Sequence, residues 1–153
     1  MIKGIYQLEQ VAPKKKAIAN VQLMGSGTIL QKVRQAAQIL AADYNISSDV
    51  YSVTSFNELA RDGQDATRWN MLHPESKPKT PYISNIITEK AGPAIAATDY
   101  VKSYSDQVRA FINTQYRCLG TDGFGRSDSR DNLRQHFEVD QNYIVVAALF
   151  ELS

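Results

Sequence analysis

Two stretches of the chain gather the residue types that bind, orient or move protons. In the first, Arg61, Asp62, Asp65, Arg68, Trp69 and His73 fall within a short polar segment. A histidine there can take and return a proton near neutral pH. No adjacent Ser–His–Asp order and no close set of metal ligands accompanies it, so a structural or interface histidine is the plainer reading. The second stretch is Gly120–Thr121–Asp122–Gly123–Phe124–Gly125–Arg126–Ser127–Asp128–Ser129–Arg130. Gly123 and Gly125 permit positive φ or a close approach, and Ser127 or Asp128 can cap a following helix. Asp122, Arg126, Asp128 and Arg130 can pair to hold a tight turn, or they can serve a ligand or interface loop. Gly25–Ser26–Gly27 directly precedes a helical pattern, and a helix start can receive phosphate on its free amides. It lacks the Walker lysine-plus-hydroxyl ending and the full dinucleotide fingerprint, so close packing of turn and helix is the better reading. Cys118 is the one cysteine. With no established histidine or cation beside it, it reads as a small packed hydrophobe rather than a nucleophile.

These residues need a scaffold, and hydrophobic spacing outlines it. Gly4–Gln10 reads as a peripheral strand, followed by Pro13 and a solvated Lys14–Lys15–Lys16 turn. Ala17–Met24 reads as a buried strand interrupted by Asn20 and Gln22. Ile29, Leu30, Val33, Ala36, Ala37, Leu40 and Ala41 recur at helical spacing, opposite a polar face of Gln31, Lys32, Arg34, Gln35 and Gln38. Asp49–Thr54 supplies a further strand, after which Ser55 and Glu58 stand at capping-box spacing. Strand, helix and strand in that order favour a parallel sheet covered by helices, whose functional edge is usually the carboxyl ends of the strands.

Pro74, Pro78 and Pro81, with Lys77 and Lys79, predict an excursion or loop. Ile83, Ile86 and Ile87 form a brief helix stopped by Gly92–Pro93. Ala94–Ala97 reads as a third internal strand, and Thr98 or Asp99 starts a helix lined by Tyr100, Val101, Tyr104, Val108 and Phe111. Cys118 and Leu119 end a short apolar step, and Leu133 and Phe137 anchor a short helix after the glycine-rich loop. Asp140 caps a last helix carrying Ile144, Val145, Ala148, Leu149 and Leu152. That pattern is still running at Ser153, which suggests an excised piece of a longer protein.

The 153 residues suffice for one substantial core, so one domain over residues 1–153 is expected. Net charge is +1 and 22% of residues are charged, which fits neither a disordered chain nor an electrostatically driven nucleic-acid binder. A single cysteine rules out an internal disulfide and favours an intracellular, cytoplasmic location. No signal peptide or membrane-spanning apolar run is visible.

Longer stretches carry a resemblance. Val50 through Asp65, Arg68–Trp69–Asn70–Met71–Leu72–His73–Pro74, Ala97–Thr98–Asp99–Tyr100, Gly120 through Arg130 and His136–Phe137–Glu138–Val139–Asp140 closely resemble the carboxy-terminal domain of bacterial homodimeric pyruvate dehydrogenase E1 components. The similarity runs over essentially the whole chain. It implies a transketolase carboxy-terminal-domain fold: a three-layer α/β/α sandwich with a five-stranded, mostly parallel mixed sheet and one antiparallel edge strand near Gly4–Gln10. It also implies membership of an enzyme that uses thiamine diphosphate and a magnesium ion to decarboxylate pyruvate and reductively acetylate a lipoyl group on its E2 partner.

The domains that hold the cofactor in that family are not represented here. No catalytic, cofactor-binding or metal-binding residue is therefore assigned, and neither ligand is expected on this fragment alone. The implied partners are the missing E1 domains, a second E1 subunit and the lipoyl-bearing E2 acetyltransferase, with no nucleic acid and no membrane. Asp62, Asp65, Arg68 and His73 form a first expected interface or positioning cluster, and Asp122, Gly123, Gly125, Arg126, Asp128 and Arg130 a second. A free-standing α/β interaction or regulatory module is the competing reading, and a small nucleotide-binding protein using Gly25–Ser26–Gly27 a weaker third.

Overall fold

A computed structural model describes residues 4–98, 102–120 and 141–153. Five strands, β1 (Ile5–Val11), β2 (Ala19–Gly25), β3 (Ile46–Val53), β4 (Ala94–Ala97) and β5 (Tyr116–Leu119), form one sheet in the order β1-β3-β2-β4-β5. Every neighbouring pair is parallel except β1 with β3, which is antiparallel. The expected mixed sheet with an antiparallel edge strand is therefore the observed one. Ladder register slips between Gln7 and Glu9, a bulge-like irregularity on the exposed edge strand.

Period-two alternation sorts the strand side chains into two cores. Val21, Leu23, Val50, Ile95 and Leu119 face one layer, where they meet helix α1 (Leu30–Tyr44) and the last helix, α5 (Gln141–Leu152). Met24, Tyr51, Val53, Ala94, Ala96 and Tyr116 face the other. That side is covered by α2 (Phe56–Leu72), α3 (Tyr82–Ile86) and the short α4 (Lys102–Asp106). The result is the α/β/α sandwich, and β2, covered on both faces, is its centre.

Several local expectations are modified. Strand β3 begins at Ile46, three residues before the predicted start, because Ile46, Ser48 and Val50 all point inward although serines hide the alternation. Ile18 lies outside β2 and is exposed. The helix expected to run from Thr98 or Asp99 to Phe111 is broken into α4 and one 3-10 turn at Arg109–Phe111, with Val108 at φ −97 and ψ 2 between them. Side chains compete with the helical ladder there: Ser105 Oγ donates to the Lys102 carbonyl at 3.2 Å, and the Gln107 amide donates to the Tyr104 carbonyl at 2.6 Å. Asp99, Tyr100 and Val101 lie outside the described residues, as do Leu133, Phe137 and the proposed cap Asp140.

The two polar residues that interrupt β2 bind the crossover into β4. Gln22 is fully buried; its amide nitrogen donates to the carbonyls of Thr88 and Gly92, each at 2.8 Å, and its oxygen accepts from the Thr88 amide at 3.2 Å. Asn20 donates to the Ala91 carbonyl at 2.7 Å and to Asp49 at 3.1 Å. Gly92 sits at φ +91, and a Cβ there would lie 2.0 Å from the Asn20 carbonyl oxygen, so a side chain is excluded on both counts.

Candidate functional site

Helix α2 starts cleanly because Ser55 Oγ accepts from the Glu58 amide at 3.0 Å, as the capping-box spacing predicts. Phe56, Leu59, Ala60, Gly63 and Ala66 bury one side of it. The polar segment carrying Asp62, Asp65 and Arg68 is thus the outer face of a 17-residue helix that leads away from the strands' carboxyl edge. At 1.5 Å per residue its far end lies about 25 Å along the axis from that edge. His73 ends the helix at φ −130 and ψ 61, outside the helical region that a following proline disfavours.

Asp62, Asp65, Trp69 and His73 follow one stripe of α2, spaced by three and four residues. They do not converge on one point. Asp62 Oδ2 accepts from the Tyr82 amide at 2.6 Å and so caps α3, while Asp65 and Arg68 are exposed to solvent. His73 stacks on Trp69 with ring centroids 4.2 Å apart and planes at 16°, and its Nδ1–H donates to the Trp69 carbonyl at 2.8 Å. Lys79 places its ammonium 4.4 Å from the centroid of the Trp69 ring. Asn70 closes the arrangement, since its Nδ2 donates to the Lys79 carbonyl at 2.9 Å and its Oδ1 accepts from the Lys79 amide at 2.7 Å.

The proline-rich segment from Pro74 to Thr80 is therefore a strap, exposed throughout and tied back onto the end of α2 by side chains. Sequence reasoning named Trp69, His73 and Lys79 but missed Asn70. An amide within the last turn before a proline-rich excursion was the available signal. The His73 ring is thus oriented by its own helix, through the Trp69 carbonyl and ring, and among the described residues no hydrogen bond or ion pair joins it to a carboxylate.

A second polar region surrounds the sheet's outer strand. Lys102, Asp106, Arg109, Tyr116, Arg117, Cys118 and Glu151 line an open hollow of ≈ 300 Å³. Arg109 pairs with Asp106 at 2.6 Å, and Arg117 pairs with Glu151 at 2.7 Å. Hydrogen bonding to Asp106 raises the Arg109 value further. Burial pushes the Cys118 thiol up, outweighing its hydrogen bonds, so this sulfur is not poised as a thiolate. Burial likewise holds the Tyr116 phenol well above its ordinary value, and its hydroxyl donates to the Ser105 carbonyl at 2.7 Å.

The chain crosses from one side of β2 to the other, so the carboxyl ends of β2 and β4 form the sheet's switch point, where α/β folds often bind ligands. Gly25–Ser26–Gly27 stands there. Ser26 donates its amide to the Ala97 carbonyl at 3.3 Å and its hydroxyl to Thr98 Oγ1 at 2.9 Å. A Cβ on Gly25 would lie 2.9 Å from Val33 Cγ2, so the glycine lets helix and turn pack closely. These contacts support packing over phosphate binding. Asp122, Gly123, Gly125, Arg126, Asp128 and Arg130 lie outside the described residues. Among the described residues, no group of three or more His, Cys, Asp or Glu is placed to hold a metal, and no helix is long and apolar enough to cross a membrane.

The comparisons with known proteins agree with this geometry. The chain is 60% identical over 152 residues to the pyruvate dehydrogenase E1 component of Escherichia coli (strain K12), covering 99% of this chain and 17% of that protein. It is 57% identical over 152 residues to the same component of Haemophilus influenzae, again covering 99% and 17%. It thus spans about one sixth of the length of these relatives. Among solved structures, transketolase from Campylobacter jejuni superposes with a TM-score of 0.60 at 17% identity, over 97% of this chain and 19% of that one, a likeness of fold. The model of the transketolase-like TK C-terminal domain matches residues 4–140, and the chain belongs to that family.

Proposed function

We propose that the chain is the carboxy-terminal assembly domain of a pyruvate dehydrogenase E1 component. The observation that carries this reading is the 60% identity over 99% of the chain to an E1 component of which it makes up 17%. In this reading the full polypeptide decarboxylates pyruvate and reductively acetylates the lipoyl group of an E2 acetyltransferase, as a cytoplasmic homodimer. Thiamine diphosphate and magnesium supply that chemistry from domains outside this chain. The Gly25–Ser26–Gly27 turn is taken up by packing, since the Ser26 amide and hydroxyl are engaged by Ala97 and Thr98.

The domain's contribution is positional. Two clusters, one of Asp62, Asp65, Arg68 and His73 and one of Asp122, Gly123, Gly125, Arg126, Asp128 and Arg130, set how it meets the other E1 domains, the second subunit and the route of the lipoyl arm. Paired charges of this kind select orientation even where they add little affinity. The test is E1 rebuilt with this domain, assayed for dimerisation and for lipoyl acetylation. Loss of both on deleting the domain, and loss of either on replacing Asp122, Arg126, Asp128 and Arg130 together, is expected. Unchanged turnover and dimerisation in the deletion would refute the E1 reading in favour of a free-standing interaction module. Unchanged behaviour in the quadruple variant alone would remove the second cluster from the account.

A further inference from the structure

Helix α5 reads QNYIVVAALFEL, with Glu151 its only charged residue. A helix that is apolar all round belongs in surroundings that are apolar all round. Among the described residues only one side of α5 has apolar surroundings. Ile144, Val145, Ala147 and Ala148 are buried, largely against α1 and the sheet. On the outer side Val146 is 60% exposed, Phe150 62% and Tyr143 39%. With Arg117, Leu119 and Ala147 these three line a hollow of ≈ 270 Å³ between α5 and β5. Among the described residues β5 is the outermost strand at this end of the sheet, so the hollow adjoins the sheet's edge.

The charge pattern narrows the occupant. Among the described residues lining the hollow, Arg117 is the one cation, and its Nε lies 2.7 Å from Glu151 Oε1 while its guanidinium sits 4.9 Å over the Phe150 ring. Among the described residues the face thus presents no net charge, whereas a site for anionic lipid or an acidic peptide would present unpaired cations. A neutral apolar face of this kind suits the core of a protein interface. The chain makes up only 17% of the E1 components it resembles, so most of such a polypeptide is available to cover it.

We propose that the face formed by Leu119, Tyr143, Val146 and Phe150 is the surface through which this domain packs on an apolar surface of the rest of the E1 polypeptide. The inference rests on the E1 reading above and adds to it a site distinct from the two polar clusters. Carbene footprinting with mass spectrometry, run side by side on the 1–153 chain and on the full-length E1 that carries it, tests the proposal.

Tyr143, Val146 and Phe150 label readily in the 1–153 chain and lose most of that labelling in E1, while buried Val145 stays unlabelled in both. Equal labelling of the three in an E1 that dimerises and acetylates the lipoyl group overturns the proposal and leaves the E1 reading intact. Protection in the 1–153 chain that grows with concentration, together with a doubled mass, identifies a second copy as the occupant and also overturns it. An E1 carrying this domain that neither dimerises nor turns over removes the E1 reading itself, and the proposal with it.

Discussion

Replacing Asn70 with alanine should release the strap without loosening the domain. The two hydrogen bonds between the Asn70 side chain and the Lys79 backbone tie the Pro74–Thr80 segment to α2 beside the Lys79–Trp69 contact. A neutral hydrogen bond contributes about 0.5–1.5 kcal/mol net, and these two are exposed, so the lower half of that range applies. Their joint loss is about 1–2 kcal/mol, which raises the open population of the strap roughly 5- to 30-fold. Alanine is the better helix former, so a loss cannot be charged to α2 itself. The Lys79–Thr80 bond is a tryptic site, whereas Lys77 is shielded by Pro78. Native-state trypsinolysis, followed as the rate of cutting after Lys79, reads the open population directly when closing outpaces cleavage. Trp69, the only tryptophan, reports the same event through its fluorescence as Lys79 leaves its ring. The urea midpoint should hold, because the strap buries nothing in either core. A cutting rate in Asn70→Ala equal to that of the parent chain would show that something other than Asn70 holds the strap.

Three further outcomes follow from the core and its polar groups. Gln22→Leu leaves the Thr88 amide without its acceptor and removes two more bonds to the crossover, so it should cost about 3 kcal/mol and lower the urea midpoint by about 1.5 M; a shift of a few tenths molar would discount the network. Tyr116 is held above its ordinary value of about 10 chiefly by burial, so its neutral form stabilises the fold below about pH 10 and that contribution fades as pH climbs from there towards the raised value. Tyr116→Phe should cost about 1 kcal/mol at neutral pH and flatten the alkaline loss of stability, and parallel curves for both proteins above about pH 10 would exclude Tyr116 as its source. Ser48 Oγ is buried with no hydrogen-bond partner among the described residues, so Ser48→Ala should leave the urea midpoint unchanged or raise it by the equivalent of about 1 kcal/mol. A clear drop would show that this hydroxyl is bonded.

Much of the scaffold was legible because its signals are local. The short apolar run Ala94–Ala97, the helical stripe from Ile29 to Ala41 and the Ser55–Glu58 capping pair depend on neighbours a few residues away, and each appears as read. Where tertiary contacts outrank local preference, the reading slipped. Ser47 and Ser48 concealed the start of β3, and serine and glutamine side chains broke the helix expected through Val108. The polar run from Arg61 to His73 was read only as a polar segment, because its buried side is built from Gly63 and Ala66, which carry a weak hydrophobic signal. Its residues were correctly singled out, but their partners were not. Asp62 meets Tyr82 twenty residues on, and Asn70 meets Lys79 across a proline-rich strap, pairings that no periodicity encodes.

The amino-acid sequence alone determined the class of fold, the antiparallel edge strand and the family, since hydrophobic period and extended similarity are properties of the chain in one dimension. Which polar groups face one another was decided only in three dimensions. Gln22 reads as a flaw in a strand until the crossover folds over it and places two carbonyls and an amide within its reach. The last helix shows the same division: its apolar composition is plain in the sequence, yet only packing against α1 reveals which half of it is left facing outward. Burial is a relation between distant segments, and the free energy of a polar or apolar group is set by what that relation puts beside it.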